Sequence, residues 1–314
     1  MGISPVAAEF LALSRKDGTR FDRTLTLGRQ DLVADYPVLE SILRQFDCWP
    51  SSLSSEAFRD SFGADHRYGD ALFKYVGAEK VSFLDASDFE GADVIHDLNV
   101  PVPEEMKQTY DAIYDGGLLE HVFNAPAAFK SCMEILKVDG RLLLVTPANN
   151  LFGHGFYQFS PELFFRLFSE ANGFEVERMI AVERDYRSST SRWFDVSDPA
   201  KIGQRVILEN RSPVTLLVRA RKLRVADIRF ENVQQSDYAA AWESFADGDD
   251  SPHHTRAASN GQGIKDLLRP IAHRVARILP SVNPLSRSIF GGYYKYRSFS
   301  NRQFFTPITR RATW

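Results

Sequence analysis

Between about residues 20 and 220, short β-rich runs alternate with longer segments of helical spacing, which is the pattern of a parallel sheet joined by helical crossovers. Strands are expected at 24–27 (TLTL), 80–84 (KVSFL), 92–96, 110–114 and 141–146 (RLLLVT), with two later ones at 175–182 and 214–220. Between them, 31–46 carries Leu32, Tyr36, Leu39, Ile42, Leu43 and Phe46 at helical intervals, and 71–76, 127–136 and 161–170 read as further helices. Four of the strands run into a glycine or an acid: Gly28, Asp85, Asp97 and Asp115. In open α/β sheets the ligand crevice lies outside the carboxyl ends of the strands. A carboxylate there can accept from ribose hydroxyls or an exocyclic amine, although Asp after a strand is also good turn chemistry. The series as a whole points to a nucleoside site.

Charge divides the chain. From Lys265 onward there are ten Lys or Arg and one acid, a local +9 that leaves −12 for the remainder of a chain whose total is −3. The body is therefore no trap for nucleic acid, and no nucleic-acid partner is expected. Residues 1–232 read as one domain, with 233–263 as a linker disordered in part, because 246–263 has almost no large apolar side chains. Residues 264–314 form a basic, aromatic-rich helical or irregular extension. Its amphipathic stretch 264–279 has two readings: peripheral contact with an anionic membrane, or packing on the body or on a second copy of the chain. No run approaches the roughly 20 apolar residues of a membrane span, and the N-terminus lacks a signal-peptide pattern, so a cytoplasmic protein is expected. The two cysteines, Cys48 and Cys132, give no disulfide framework, and Cys132 in its apolar helix reads as a buried thiol.

The stretches FLDASDFEGADVIHDLN, YDAIYDGGLLEHVFN and GRLLLVTPANN, followed by GHGFYQFSPELF from Gly153, resemble the class I S-adenosylmethionine-dependent methyltransferases. The similarity is to a bacterial methyltransferase-like group linked to glycan or natural-product pathways, and it spans roughly residues 20–220. It implies a Rossmann-like α/β fold, a mostly parallel sheet with helices on both faces, and S-adenosyl-L-methionine as cofactor. It also implies methyl transfer to a small-molecule acceptor, with a sugar hydroxyl as the expected example. Carried over by position, Gly28, Arg29 and Gln30 would form the first-strand loop. Asp85 would hold the ribose hydroxyls, Ala86 and Ser87 beside it would also contact the cofactor, and Asp97 with Leu98 would face the adenine. Asp115, Gly116 and Gly117 would lie near the sulfonium.

The chain departs from this family in two places. Its first loop has one glycine where the family has several, and Gly28 and Asp85 stand 57 residues apart against about 20 in dinucleotide sheets. An insertion near 48–68 accounts for the extra length. The single glycine keeps open a second reading, a catalytically inactive methyltransferase-like binding or scaffold protein. A nicotinamide oxidoreductase would need a G-x-G-x-x-G turn that the chain lacks.

A hydroxyl acceptor must lose a proton, and Glu120, His121, His154, Tyr157 and Glu162 are the candidates to handle it. His154, between two glycines, reads as base, acceptor contact or turn residue. His121 reads as a cofactor-side group or a loop-shaping histidine. Tyr157 can bind an acceptor hydroxyl or simply pack, and Ser160 before Pro161 reads as a helix N-cap. His121, His154 and Tyr157 are taken as the catalytic set. No His, Cys or acid spacing matches a preformed zinc site, so no metal is expected. His66, His253 and His254 carry no assigned role.

Overall fold

The computed structural model describes residues 2–63, 67–184, 191–231, 233–246 and 297–309. The chain divides into two compact units. One comprises 1–196, 211–233 and 306–314, and the other 197–210 and 234–305.

The first unit begins with β1 (Gly2–Ile3) and helix α1 (Pro5–Lys16), which is capped by Ser4 Oγ accepting from the Ala7 N–H and has Pro5 in its first turn. Strand β2 (Arg23–Leu27) follows, then the two-residue β3 (Asp31–Leu32), and α2 (Tyr36–Gln45), α3 (Ser55–Asp60) and α4 (Asp70–Tyr75). The chain continues through β4 (Lys80–Asp85), β5 (Val94–Ile95), β6 (Tyr110–Asp115), α5 (Ala125–Ile135), β7 (Leu136–Pro147) and α6 (Pro161–Leu167). Strands β8 (Phe174–Arg184), β9 (Ser191–Val196) and β10 (Val214–Lys222) complete most of the sheet. In the second unit, α7 (Pro199–Ile202) and α8 (Ser236–Ala246) are neighbours, and Arg205 pairs with Asp237 while lying over the Tyr238 ring. The last strand, β11 (Phe305–Pro307), straddles the division between the units.

The nine-stranded sheet has the order β11-β9-β8-β10-β7-β6-β2-β4-β5. Strands β5, β4, β2, β6 and β7 run parallel, and β10 is antiparallel to both β7 and β8, so β8 points the same way as β7. This is a Rossmann-like, mostly parallel α/β sheet. The direction of winding reverses at β2, with β4 on one side and β6 on the other. Ligands bind at the carboxyl ends of strands at such a switch point.

Helices cover both faces. On one, Phe10, Leu11, Leu39, Ile42, Phe58 and Phe73 from α1–α4 pack on Tyr114, Leu143, Val145 and Val182 of the strands. Alternation along β7 sends Leu142 and Leu144 to the opposite face, where α5 and α6 bring Phe129, Phe164 and Phe168 together, with Phe168 also meeting Phe174. Tyr114 is fully buried and its hydroxyl has no hydrogen-bond partner, an arrangement that costs more than it returns. Tyr114→Phe is therefore expected to raise stability by about 1 kcal/mol, seen as a higher urea midpoint. A lower midpoint would show that the hydroxyl is satisfied in solution.

Several local expectations need correcting. The helix expected over 31–46 starts only at Tyr36, because Leu32 N–H donates to Arg67 and the N–H groups of Val33 and Ala34 donate to Ile3. Pro37 in the first turn suits this later start. The strand at 92–96 shrinks to Val94–Ile95. Helix α1, not anticipated, buries nearly every residue from Val6 to Ala12, so it has no clean apolar stripe to read. The segment 48–68 contains α3, and its residues 64–66, including His66, lie outside the described set. Most of the linker and of the basic extension, with His253 and His254, also lies outside it. Among the described residues, no helix is long and apolar enough to cross a membrane. Cys132 is a fully buried free thiol, as its helical setting predicted.

Candidate functional site

Strand pairing brings the first acids and glycines together. Leu27 is in register with Leu84 on one side and Asp115 on the other, so Gly28, Asp85 and Asp115 end three adjacent strands at the switch point. Asp85 is half-buried, and one of its oxygens receives the Ser87 N–H at 3.2 Å. Ala86 and Ser87 are exposed beside it.

The first loop is closed on itself. Gly28, at φ 70°, donates to the Leu84 carbonyl at 2.7 Å, and its own carbonyl accepts from Thr26 Oγ1 and Gln30 Nε2. Gln30 is buried, and its Oε1 has no donor. That oxygen lies against Gly116, where an added Cβ would come within 2.1 Å of it. The glycine thus makes room for a buried acceptor that nothing in the described chain satisfies. Arg29 is drawn into another role. Its guanidinium binds Asp70 through two nitrogens, donates to the Glu90 carbonyl and stacks 3.8 Å from the Tyr68 ring centroid. The Arg29 side chain thus braces the loop after β2 against α4.

Asp97 also has partners within the chain. It lies past the short β5, is exposed, and its Oδ1 accepts from both the backbone and side-chain nitrogens of Asn99, which hold its carboxyl below the usual range. Asn99 in turn accepts two hydrogen bonds from Asn124, tying this loop to the segment after β6. Leu98 is buried in this wall.

On the other side of the switch point, Asp115 is fully buried and accepts from the N–H groups of Gly117 and Leu118 at 3.1 and 2.7 Å. Burial nevertheless pushes its carboxyl up to about 6. A 3₁₀ turn at Leu119–His121 then carries Glu120 inward. Glu120 is also fully buried, and burial plus the neighbouring Asp115 charge push it up to about 8. Its Oε2 receives Thr146 Oγ1 at 3.4 Å, while Oε1 has no hydrogen-bond partner and lies 3.5 Å from His154 Nε2.

The 151–158 loop is pinned over this group. The N–H groups of Phe156 and Tyr157 both donate to the Glu120 carbonyl, and Gln158 accepts from the Leu151 N–H. Gly155, at φ 77°, is required here, because a Cβ would come within 2.7 Å of that same carbonyl. His121 and His154 are exposed with ring centroids 5.4 Å apart, and partial burial together with His154 lowers the His121 pKa, which favours the neutral ring. The Tyr157 hydroxyl donates to the Phe123 carbonyl at 2.6 Å and its ring stacks on Phe159, so Tyr157 clamps the loop to the segment after β6. Glu162 pairs with Arg166 on α6. Ser160 stands at the α6 N-cap position, with no side-chain cap hydrogen bond.

One grouping went unread in the sequence. Glu120, His121 and His154 each offer a donor atom, and the three atoms lie within 4.8 Å of one another. No short spacing announces it, since the third member arrives through the loop after β7.

No protein-family model and no curated protein matches the chain in sequence. Among solved structures, the chain is similar to the branched-chain polyamine synthase of Thermus thermophilus, at 14% identity over 73% of this chain with a TM-score of 0.36. It spans 59% of that protein's length. It is also similar to the Burkholderia thailandensis 1,6-didemethyltoxoflavin-N1-methyltransferase, whose structure holds S-adenosylhomocysteine. There the identity is 14%, the coverage 69% of this chain and 79% of that one, and the TM-score 0.36. TehB from Haemophilus influenzae is a third, at 12% identity, 68% and 61% coverage and a TM-score of 0.34.

Proposed function

We propose that the chain binds S-adenosyl-L-methionine at the switch point and transfers its methyl group to a small polar acceptor, with a sugar hydroxyl as the reading to test first. The observation that carries this is the orphaned, buried Gln30 Oε1 against Gly116, at the place where Gly28, Asp85 and Asp115 end three adjacent strands. A buried acceptor without a donor is costly unless a ligand supplies one, and the cofactor's ammonium is such a donor. Asp85, half-exposed and free to accept at its second oxygen, suits the paired ribose hydroxyls. Leu98 supplies apolar wall for the adenine, and Ala86 and Ser87 its rim.

When bound, the cofactor supplies an electrophilic methyl group on a sulfonium, and the C–S electron pair returns to sulfur as the acceptor oxygen forms its new C–O bond. The chain's share is to position the acceptor, exclude water and take charge of the hydroxyl proton. Glu120, His121 and His154 are the groups placed for the last task. Phe123 and Phe156, exposed and edge-to-face at 5.8 Å, flank the approach to His154 and offer a stacking surface for the apolar face of a sugar or a heterocycle.

Calorimetric titration of the full chain with S-adenosylmethionine and with S-adenosylhomocysteine tests the reading. Saturable binding near one per chain is expected for both. Transfer of labelled methyl to free or nucleotide-linked sugars is the next expected result. A folded chain that binds neither ligand would instead favour the scaffold reading, in which the closed Gly28 loop marks a pocket that no longer opens.

A further inference from the structure

We propose that Glu120, His121 and His154 form a binding site for a single first-row divalent transition-metal ion of the Zn²⁺ or Mn²⁺ class. Three features of the geometry converge on it. The donor atoms lie within 4.8 Å of one another, and a small contraction would bring them to the separations of ligands bonded at about 2.0–2.2 Å. Glu120, fully buried, directs an oxygen with no hydrogen-bond partner toward His154 Nε2 at 3.5 Å. Gly117 leaves that oxygen uncrowded, since a Cβ there would stand 2.9 Å from it.

Donor chemistry selects the class of ion. Two imidazole nitrogens and one carboxylate suit zinc, manganese or iron, whereas calcium and magnesium prefer all-oxygen sets. The hydrogen bond that orients the carboxylate is already in place, because Thr146 Oγ1 donates to Glu120 Oε2. The protein also holds the two halves of the site together. Phe156 and Tyr157 hydrogen-bond the Glu120 carbonyl, and Tyr157 reaches across to Phe123, so His154 is fastened over the turn that carries the other two donors. His154 is 55% exposed at its side chain, which leaves coordination positions facing solvent. Three protein ligands with open positions make a catalytic type of site, not a closed structural one.

The role of the ion rests on the methyl-transfer reading above. An acceptor hydroxyl oxygen on an open position would lose its proton to solvent more readily, because the cation stabilises the resulting alkoxide. With the ion bound, His154 is a ligand that positions the acceptor, and Glu120, His121 and His154 handle the hydroxyl proton through the ion instead of as bases.

The test uses the untagged full chain, stripped with a chelator and titrated with Zn²⁺, and separately with Co²⁺ to follow the ligand-field absorption of the bound ion. One ion per chain is expected. Glu120→Gln, His121→Ala and His154→Ala should each weaken binding at least tenfold, with unchanged circular dichroism. Absence of saturable binding by the parent chain, or affinity in Glu120→Gln and His154→Ala equal to the parent's, would overturn the proposal. S-adenosylhomocysteine titration of the stripped chain separates the two readings. Nucleoside binding without metal binding removes the ion and leaves methyl transfer standing, whereas metal binding without nucleoside binding leaves the ion site and removes the transferase.

Discussion

Replacement of Asp85 by Ala is expected to weaken S-adenosylhomocysteine binding by about two orders of magnitude while leaving the fold intact. The carboxylate stands at the carboxyl end of β4, half-buried, and its one described internal partner is the Ser87 N–H. Its loss therefore removes little from the unliganded protein. In the complex, a carboxylate that receives two ribose hydroxyls makes charge-assisted bonds of about 1.5–3 kcal/mol each, and truncation also strands the hydroxyls. Asp85→Asn is expected to recover part of the loss, since an amide can accept one of the two bonds. Calorimetry on the three proteins checks this. Equal affinities would take the ribose away from Asp85 and, with it, the nucleoside site from the β4 edge.

The second large effect concerns Glu120 and stability as a function of pH, measured in chelator so that no ion competes. Glu120 is raised to about 8 and Asp115 to about 6, each above its ordinary carboxyl value, by burial first and, for Glu120, by the Asp115 charge next. The folded chain therefore holds protons that the unfolded chain has already released. Stability contributed by these protonated groups is fully present below about pH 4, and it declines as pH rises through 6 and then 8. Glu120→Gln keeps the shape and remains neutral throughout. It is expected to match the parent near pH 5 and to exceed it at pH 9 by about 3 kcal/mol in urea unfolding. Parallel curves across that range would mean that water reaches Glu120 and leaves it an ordinary acid.

Much of the sheet was legible because its strands are β-rich runs that stop at residues with turn chemistry. TLTL before Gly28, KVSFL before Asp85 and the 110–114 run before Asp115 all fall at the ends of neighbouring strands. Where burial is nearly complete, as in α1, periodicity carries no signal, and where tertiary partners claim the backbone, as at Leu32–Ala34, helical spacing misleads. The residues proposed for the nucleoside site could be named from sequence, yet their partners within the chain could not. Asp97 is occupied by Asn99 and Arg29 by Asp70, facts set by loop geometry alone. The metal-type cluster was hidden for a different reason. Glu120 and His121 sit in one turn and His154 in a loop after the next strand, and their meeting depends on Gly155 allowing that loop to pass over the Glu120 carbonyl. Residue types at a spacing cannot show that.

The placement of β2 has a consequence for how the protein is made. This strand leaves the ribosome early, but one of its two partners, β6, follows about 80 residues later. At synthesis rates of about 5–20 residues per second, β2 waits roughly 4–16 s with one edge unpaired. Its Leu25 and Leu27, fully buried in the finished sheet, have only α1 and whatever has formed of α2–α4 and β4 to shelter them in that interval. The switch point thus cannot form before β6 emerges, because it exists only once β2 has a neighbour on each side. A nascent chain halted before Asp115 would carry Gly28 and Asp85 with no pocket between them. Folding of this protein is therefore expected to be slow and prone to capture by chaperones, as contacts between distant segments generally are.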